Sequence, residues 1–266
     1  MQFCDSHCHL ESVRYDADRS AVVARAQQSG VAMMVSCGSD LASSEREVEL
    51  AAQYHGVYAA VGIHGHQAVT ALRGKSDPKS TPVLDEAVFQ RIAQLATSRN
   101  VVALGELGLD YHYNFSPRPV QQAVLARQLE LANELNLPVI LHNREADADT
   151  MRIVAEALKV RGVLHCFLGE SDLAGWAVAQ GFYLGVAGPI TYPGMEQLAS
   201  VLGQVPRERL LIETDSPYLA PQAHRRQRNE PGWVTYVAER LVQILDLSLE
   251  QVAELTLANA RTCFGV

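Results

Sequence analysis

The sequence predicts an α/β fold, a single (β/α)8 TIM barrel, on three observations. Runs rich in Val, Ile, Leu, Ala and aromatic residues recur about every 30 residues, each followed by a helical pattern, as repeated βα units require. The fingerprints of an open, doubly wound sheet are missing: no Gly-x-Gly-x-x-Gly follows a strand and no Gly-rich loop ends in Gly-Lys-Ser/Thr. Histidines and carboxylates collect where the strand-like runs end, the rim at which a barrel of this class carries its active site.

Taken in order, the predicted strands are Gln2 to Asp5, Val31 to Cys37, Val57 to Val61, Val101 to Gly105, Pro138 to Leu141, Gly162 to Leu164, Phe182 to Val186 and Arg209 to Ile212. Helical patterns fill the spaces between them over Asp18 to Ser29, Ala42 to Tyr54, Ala87 to Ser98, Pro119 to Asn136 and Ala148 to Leu158. Within Pro119 to Asn136, the apolar residues Val120, Val124, Leu125, Leu129, Leu131 and Leu135 follow helical spacing, and the proline suits a first turn. These stripes are expected to serve the core and not function. Gly74 to Pro82 has the composition of an exposed loop. After the eighth strand a polar loop, Thr214 to Gly232, leads to two helices, the second opening with the capping-box sequence Ser248-Leu249-Glu250-Gln251 and ending near Phe264. With no linker or solenoid repeat, residues 1–266 are expected to form one domain.

Bulk properties exclude several classes. With 48% hydrophobic and 20% charged residues the chain can build a large core. No apolar run approaches the roughly 20 residues of a membrane span, so a cytoplasmic protein is expected. Five cysteines without a Cys-x-x-Cys pair suit reduced, buried side chains. A net charge of −8 opposes non-specific binding along duplex DNA, which needs many Lys and Arg contacts. The three lysines, Lys75, Lys79 and Lys159, avoid the strand ends, which excludes a Schiff-base lysine or a carbamylated lysine between two metals. No Gly-x-Ser-x-Gly elbow is present either.

The strand ends carry the chemistry. In Phe3-Cys4-Asp5-Ser6-His7-Cys8-His9-Leu10, strand alternation presents Asp5, His7 and His9 on one face, and paired imidazoles can reach one divalent ion. The third strand leads into His64-Gly65-His66, the fourth into Glu106, the fifth ends at His142, the sixth at His165, and the eighth runs Leu211-Ile212-Glu213-Thr214-Asp215. Six of the nine histidines thus stand at or just after strand ends. A single histidine of this kind is ordinarily a hydrogen-bonded core residue; six candidate ligands at five strand ends point to metal. The expected arrangement is two divalent ions, His7, His9 and Asp215 on one, His142 and His165 on the other, and Glu106 bridging. Nitrogen and oxygen donors without thiolate suit Zn²⁺, Mn²⁺, Fe²⁺ or, less comfortably, Mg²⁺.

The series Asp-Ser-His-Cys-His-Leu, Val-Gly-Ile-His-Gly-His, Gly-Glu-Leu-Gly-Leu-Asp-Tyr, Leu-His-Asn-Arg, His-Cys-Phe, Glu-Thr-Asp-Ser-Pro-Tyr-Leu and Arg-Asn-Glu-Pro resembles the TatD family of metal-dependent hydrolases. The resemblance extends from Asp5 to the final helix. It implies a metal-dependent barrel of the amidohydrolase superfamily with 3′-to-5′ deoxyribonuclease activity in the cytoplasm, and its ligands fall on His7, His9, Glu106, His142, His165 and Asp215. The sequence departs from the family pattern at Gly65, where proline is usual and glycine is expected to loosen the loop aiming His64 and His66. It departs again at Val186-Ala187-Gly188.

The expected mechanism is activation of water by the two ions, with Glu106 and Asp215 as catalytic carboxylates and Asp215 accepting the proton. Asp5 and Glu213 are candidates to orient the ligands, or simple structural hydrogen-bond partners. The expected substrate is single-stranded or 3′-ended DNA, held by His64, His66, Arg144, Arg225, Arg226 and Arg228, with no membrane and no protein partner implied. Arg228 has an alternative, pairing with Glu230 to brace the loop. Tyr111 and Tyr113 are candidates either to stack on a base or to pack at the rim. Two other classes stay open: a hydrolase of an ester, lactone or amide on the same barrel, and a non-catalytic scaffold, which predicts missing ligands where none is missing.

Overall fold

The computed structural model describes residues 1–74, 81–157 and 159–266. The expected loop at Gly74 to Pro82 and the expected helix end at Leu158 therefore lie partly outside the described residues. Eight parallel strands, β1 (Phe3–Cys8), β2 (Val31–Cys37), β3 (Val57–Val61), β4 (Val101–Asp110), β5 (Val139–Arg144), β6 (Gly162–Leu164), β7 (Tyr183–Val186) and β8 (Leu210–Ile212), follow one another in sequence order in one sheet. Helices α1 (Arg19–Gln28), α2 (Leu41–Gln53), α3 (Glu86–Ala96), α4 (Arg118–Leu135), α5 (Asp147–Glu156), α6 (Ser171–Ala179) and α7 (Glu196–Gln204) connect them. Two further helices, α8 (Val234–Leu245) and α9 (Leu249–Phe264), complete the described chain, and the predicted capping box opens α9.

Strand alternation sorts the core into two apolar layers. Along β2, Met33, Val35 and Cys37 join Cys4, Ala60, Ile140, Val163 and Leu211 in an inner cluster, whereas Met34 faces the helices. Leu257, Ala260, Cys263 and Phe264 of α9 pack on the inner cluster, and Asn259 of the same helix donates to the carbonyls of Arg207 and Leu210. Because β8 is only three residues long, β1 and β8 are not joined along a full ladder. Two backbone bonds bring them together at the rim instead, Asp215 N to His7 O (2.9 Å) and His9 N to Ser216 O (2.7 Å). No helix among the described residues is long and apolar enough to cross a membrane.

The strand boundaries differ from expectation where the site begins. β1 continues three residues past Asp5 and β4 five past Gly105, and each carries a register shift within the added stretch, between Asp5 and Cys8 and between Leu104 and Leu107. Such irregularities interrupt a ladder and re-aim side chains. Here they coincide with His7 and Glu106.

Candidate metal centre

Glu106 lies at the middle of the C-terminal rim, and its two oxygens face different groups. Oε1 is 2.8 Å from His165 Nε2, 2.9 Å from His142 Nδ1 and 3.3 Å from His64 Nε2. Oε2 is 3.6 Å from the Nε2 atoms of both His7 and His9, which also stand 3.6 and 3.4 Å from Asp215 Oδ1. Three groups could each hold an ion: His7 with His9 and Asp215, His7 with Glu106 and His165, and His64 with Glu106 and His142. Glu106 takes its direction from a backbone bond to the end of β2, Glu106 N to Gly38 O at 2.9 Å. Asp215 is aimed from a left-handed backbone (φ 55°), a conformation that aspartate tolerates better than most residues.

The outward hydrogen bonds of the histidines fix which nitrogen faces the centre. His9 Nδ1 lies 2.8 Å from the Cys37 carbonyl, which can only accept, so Nδ1 carries the proton and Nε2 is bare. The Cys37 thiol donates to the Val35 carbonyl, leaving its sulfur to accept from His7 Nδ1 at 3.4 Å. His7 Nε2 is then bare as well, and it faces His9 Nε2 across 3.2 Å. Two lone pairs at that separation, flanked by two carboxylate oxygens, require a cation or a proton between them, so the residues present fit a metal. His142 donates from Nε2 to Asp110 Oδ2 (3.1 Å) and aims Nδ1 at Glu106. His165 directs Nδ1 toward Glu213 Oε1 at 3.4 Å, and its Nε2 faces Glu106.

Electrostatics agree with this division. Burial pushes His7 well below the ordinary imidazole range and the charge of His165 adds to it, which favours the neutral, ligating form. Burial works to raise Glu106, but the surrounding histidines hold it well below the usual carboxylate range. It is an ionised carboxylate among imidazoles.

His64 behaves differently from the other rim histidines. Its Nδ1 accepts from the His66 backbone N–H at 3.0 Å, so its proton sits on Nε2 and points at Glu106. Burial lowers it to about 4, which keeps the ring neutral near pH 7. Both ring nitrogens of His64 thus face partners within the site, whereas the sequence placed this ring as a substrate contact. His66 is partly exposed, with Nε2 3.0 Å from Asp110 Oδ2.

The supporting groups divide into those the sequence signalled and those it did not. Asp5 accepts from Thr214 N (2.8 Å) and Thr214 Oγ1 (2.6 Å), tying β1 to the segment carrying Asp215, and Glu213 accepts from Cys166 N (2.6 Å). Missed were two glutamines on the buried face of α4. Gln128 bonds both Ile63 N (2.7 Å) and Ile63 O (3.0 Å), immediately before His64, and Gln121 bonds Asp110 N (2.9 Å) and O (3.0 Å). The stripe expected to be core alone therefore also positions the rim. The available signal was two glutamines seven residues apart on an otherwise apolar face.

Gly65 corrects a further expectation. A Cβ there would stand 2.3 Å from the Gly108 carbonyl oxygen, so the glycine allows a close backbone approach. The turn is held, not loosened, by His64 N to Ser39 O (2.8 Å) and Gln67 N to His64 O (2.9 Å).

The arginines diverge. Arg228 forms a bidentate pair with Asp18 (2.7 Å for each contact) and reaches Glu230 (3.1 Å), which is the bracing role and not a free phosphate contact. Arg225 lies over the Tyr192 ring at 3.8 Å, Arg144 over Tyr113 at 4.9 Å, and Arg226 is exposed. Tyr111 is buried, donates to Asp149 (2.8 Å) and is covered by Arg118, so it packs at the rim.

Comparison with known proteins gives full-length similarity. The family model described as TatD related DNase matches residues 4–265. An uncharacterized metal-dependent hydrolase, YabD of Bacillus subtilis, is 37% identical over 264 residues, 98% of each chain. The 3′-5′ ssDNA/RNA exonuclease TatD of Cronobacter sakazakii is 36% identical over 247 residues, covering 90% of this chain and 89% of its own. The crystal structure of YjjV, a TatD homologue from Escherichia coli K12, matches with a TM-score of 0.87 at 29% identity, covering 99% of this chain and 98% of the other.

Proposed function

The chain belongs to the TatD-related DNase family and is a metal-dependent hydrolase, and on that footing we propose that it hydrolyses phosphodiester bonds of single-stranded nucleic acid from a free 3′ end. In this reading residues 1–266 act as one catalytic domain holding two divalent ions. His7, His9 and Asp215 would hold one, His142 and His165 the other, with Glu106 standing between the two groups. Divalent ions of the Zn²⁺, Mn²⁺ or Mg²⁺ class supply Lewis acidity there, acidifying water and neutralising charge on the phosphoryl group.

The residues of the chain do the rest. His64 donates to Glu106 and steadies that carboxylate. Asp215, partly exposed at the rim, accepts the proton of the attacking water, a role that depends on contact more than on an unusual pKa. Arg144, Arg225, Arg226 and His66 supply positive charge and N–H donors for the phosphates of the strand. A cytoplasmic location belongs to the same reading, in keeping with five cysteines that form no disulfide.

The observation that carries the reading is the division of Glu106, whose Oε1 and Oε2 face separate imidazole groups. Its test is hydrolysis of a single-stranded oligonucleotide with a free 3′ end by metal-stripped protein resupplied with Mg²⁺, Mn²⁺ or Zn²⁺. Stepwise shortening from the 3′ end that requires metal, and that falls at least about 10³-fold in Glu106→Ala, is expected. No cleavage with any ion overturns the reading in favour of ester, lactone or amide substrates.

A further inference from the structure

Large apolar side chains at a rim of buried polar residues are unusual, and two of them form an ordered pair. Tyr113 and Phe115 are 51% and 67% exposed, yet their rings stack with centroids 5.4 Å apart and planes 18° from parallel. Both meet the His66 ring edge-on, Phe115 at 4.9 Å and Tyr113 at 5.7 Å, and the His66 ring is 6.2 Å from that of His142. The Arg144 guanidinium lies over Tyr113 at 4.9 Å.

The segment bearing the pair is fixed to the site. Asp110, which accepts from His142, also accepts from Tyr113 N at 2.8 Å. On the other side of Phe115, Ser116 Oγ donates to the His66 carbonyl (2.9 Å), and Gln121 Nε2 donates to the Ser116 carbonyl (2.8 Å). These bonds hold exposed apolar rings beside the candidate ligands, where water gains nothing from them and a flat π-face does.

We infer that the stacked Tyr113–Phe115 pair is a nucleobase platform, taking by face-to-face stacking an unpaired base of the nucleotide next to the phosphate at the metal centre. The inference rests on the nuclease reading and deepens it. The His66 ring stands between the platform and the candidate ligand His142, and Arg144 covers the inner ring, where it can supply charge for the connecting phosphate. Stacking on an aromatic face is tolerant of base identity, so the platform favours single-stranded over paired substrates without choosing a sequence. A base held in a duplex has no free face to offer.

The test compares two fluorescein-labelled oligothymidylates with free 3′ ends, one normal and one with its three 3′-terminal nucleotides abasic. On the normal strand, Phe115→Ala is expected to raise KM about 10-fold with kcat changed less than about 2-fold, and Phe115→Trp to restore KM. On the abasic strand, wild type and Phe115→Ala are expected to show the same KM. Equal losses on both strands, or unchanged KM on the normal strand, would each overturn the platform while leaving the nuclease reading intact. A wild type that cuts neither strand with any divalent ion overturns both.

Discussion

Asp110 Oδ2 lies 3.1 Å from His142 Nε2, while the other oxygen of the same carboxylate accepts from Tyr113 N. One side chain thus sets the tautomer of a candidate ligand and the position of the rim segment that follows it. Burial acts to raise Asp110, but the hydrogen bond from His142 and that from the Tyr113 backbone hold it well below the ordinary range, so it accepts and does not donate. This is the carboxylate–imidazole arrangement that makes the inner nitrogen a better donor to a metal.

Asp110→Asn preserves size but places an amide where His142 needs an acceptor of full negative charge. The expected outcome is a loss of about 10- to 100-fold in affinity for the divalent metal that His142 would help hold, with hydrolysis restored by excess metal. Titration with Mn²⁺, read by activity and by ion content after dialysis, checks it. Unchanged affinity would remove Asp110 from the positioning of His142.

Gly65→Ala places a methyl group 2.3 Å from the Gly108 oxygen and 2.7 Å from Gln121 Oε1, closer than real Cβ contacts come. Relief requires β4 or α4 to shift, at a cost of about 1–3 kcal/mol. Melting should fall by roughly 3–10 °C, with activity reduced because Glu106 and Asp110 lie on the strand that must move. A variant that melts with wild type would show that the turn has the slack the sequence suggests.

The sequence marked the candidate ligands because each follows a short apolar run, where a polar break is visible, although in the structure Glu106 and His142 stand inside β4 and β5, which run on to Asp110 and Arg144. His7, His9, His142 and His165 were legible for that reason. The full extents of β1 and β4 were not, since Ser6, Gly105 and Gly108 carry turn or polar character that only the buried rim overrides. Cys37 was counted as a small apolar residue, yet its carbonyl and sulfur receive the outward N–H groups of His9 and His7. Backbone carbonyls leave no mark in a sequence. Gln121 and Gln128 did leave one, but a polar residue within an apolar stripe acquires meaning only when its partner, here Asp110 or Ile63, is known from the other side of the interface.

Arg228 separates bracing from substrate contact. Its pairing with Asp18 and Glu230 fastens the loop after β8 to the start of α1, and Asn229 next to it donates to the Thr214 (2.8 Å) and Tyr218 (2.6 Å) carbonyls just beyond the barrel. The Arg228 hydrogen bond lowers Asp18 to about 2. A carboxyl depressed in the folded state adds stability that is fully present above its unfolded pKa, near 4, and is lost as pH falls through about 2. Urea midpoints measured with EDTA at pH 6, 4 and 3 should therefore show wild type more stable than Arg228→Ala at pH 6, by about 1 kcal/mol or less given the partial exposure of the pair, with the gap narrowing toward pH 3. The salt dependence of oligonucleotide binding should be unchanged in Arg228→Ala and shallower in Arg226→Ala, by about 0.7 in the log–log slope for one lost phosphate contact. A shallower slope for Arg228→Ala would instead put its guanidinium on the strand and return it to the substrate site.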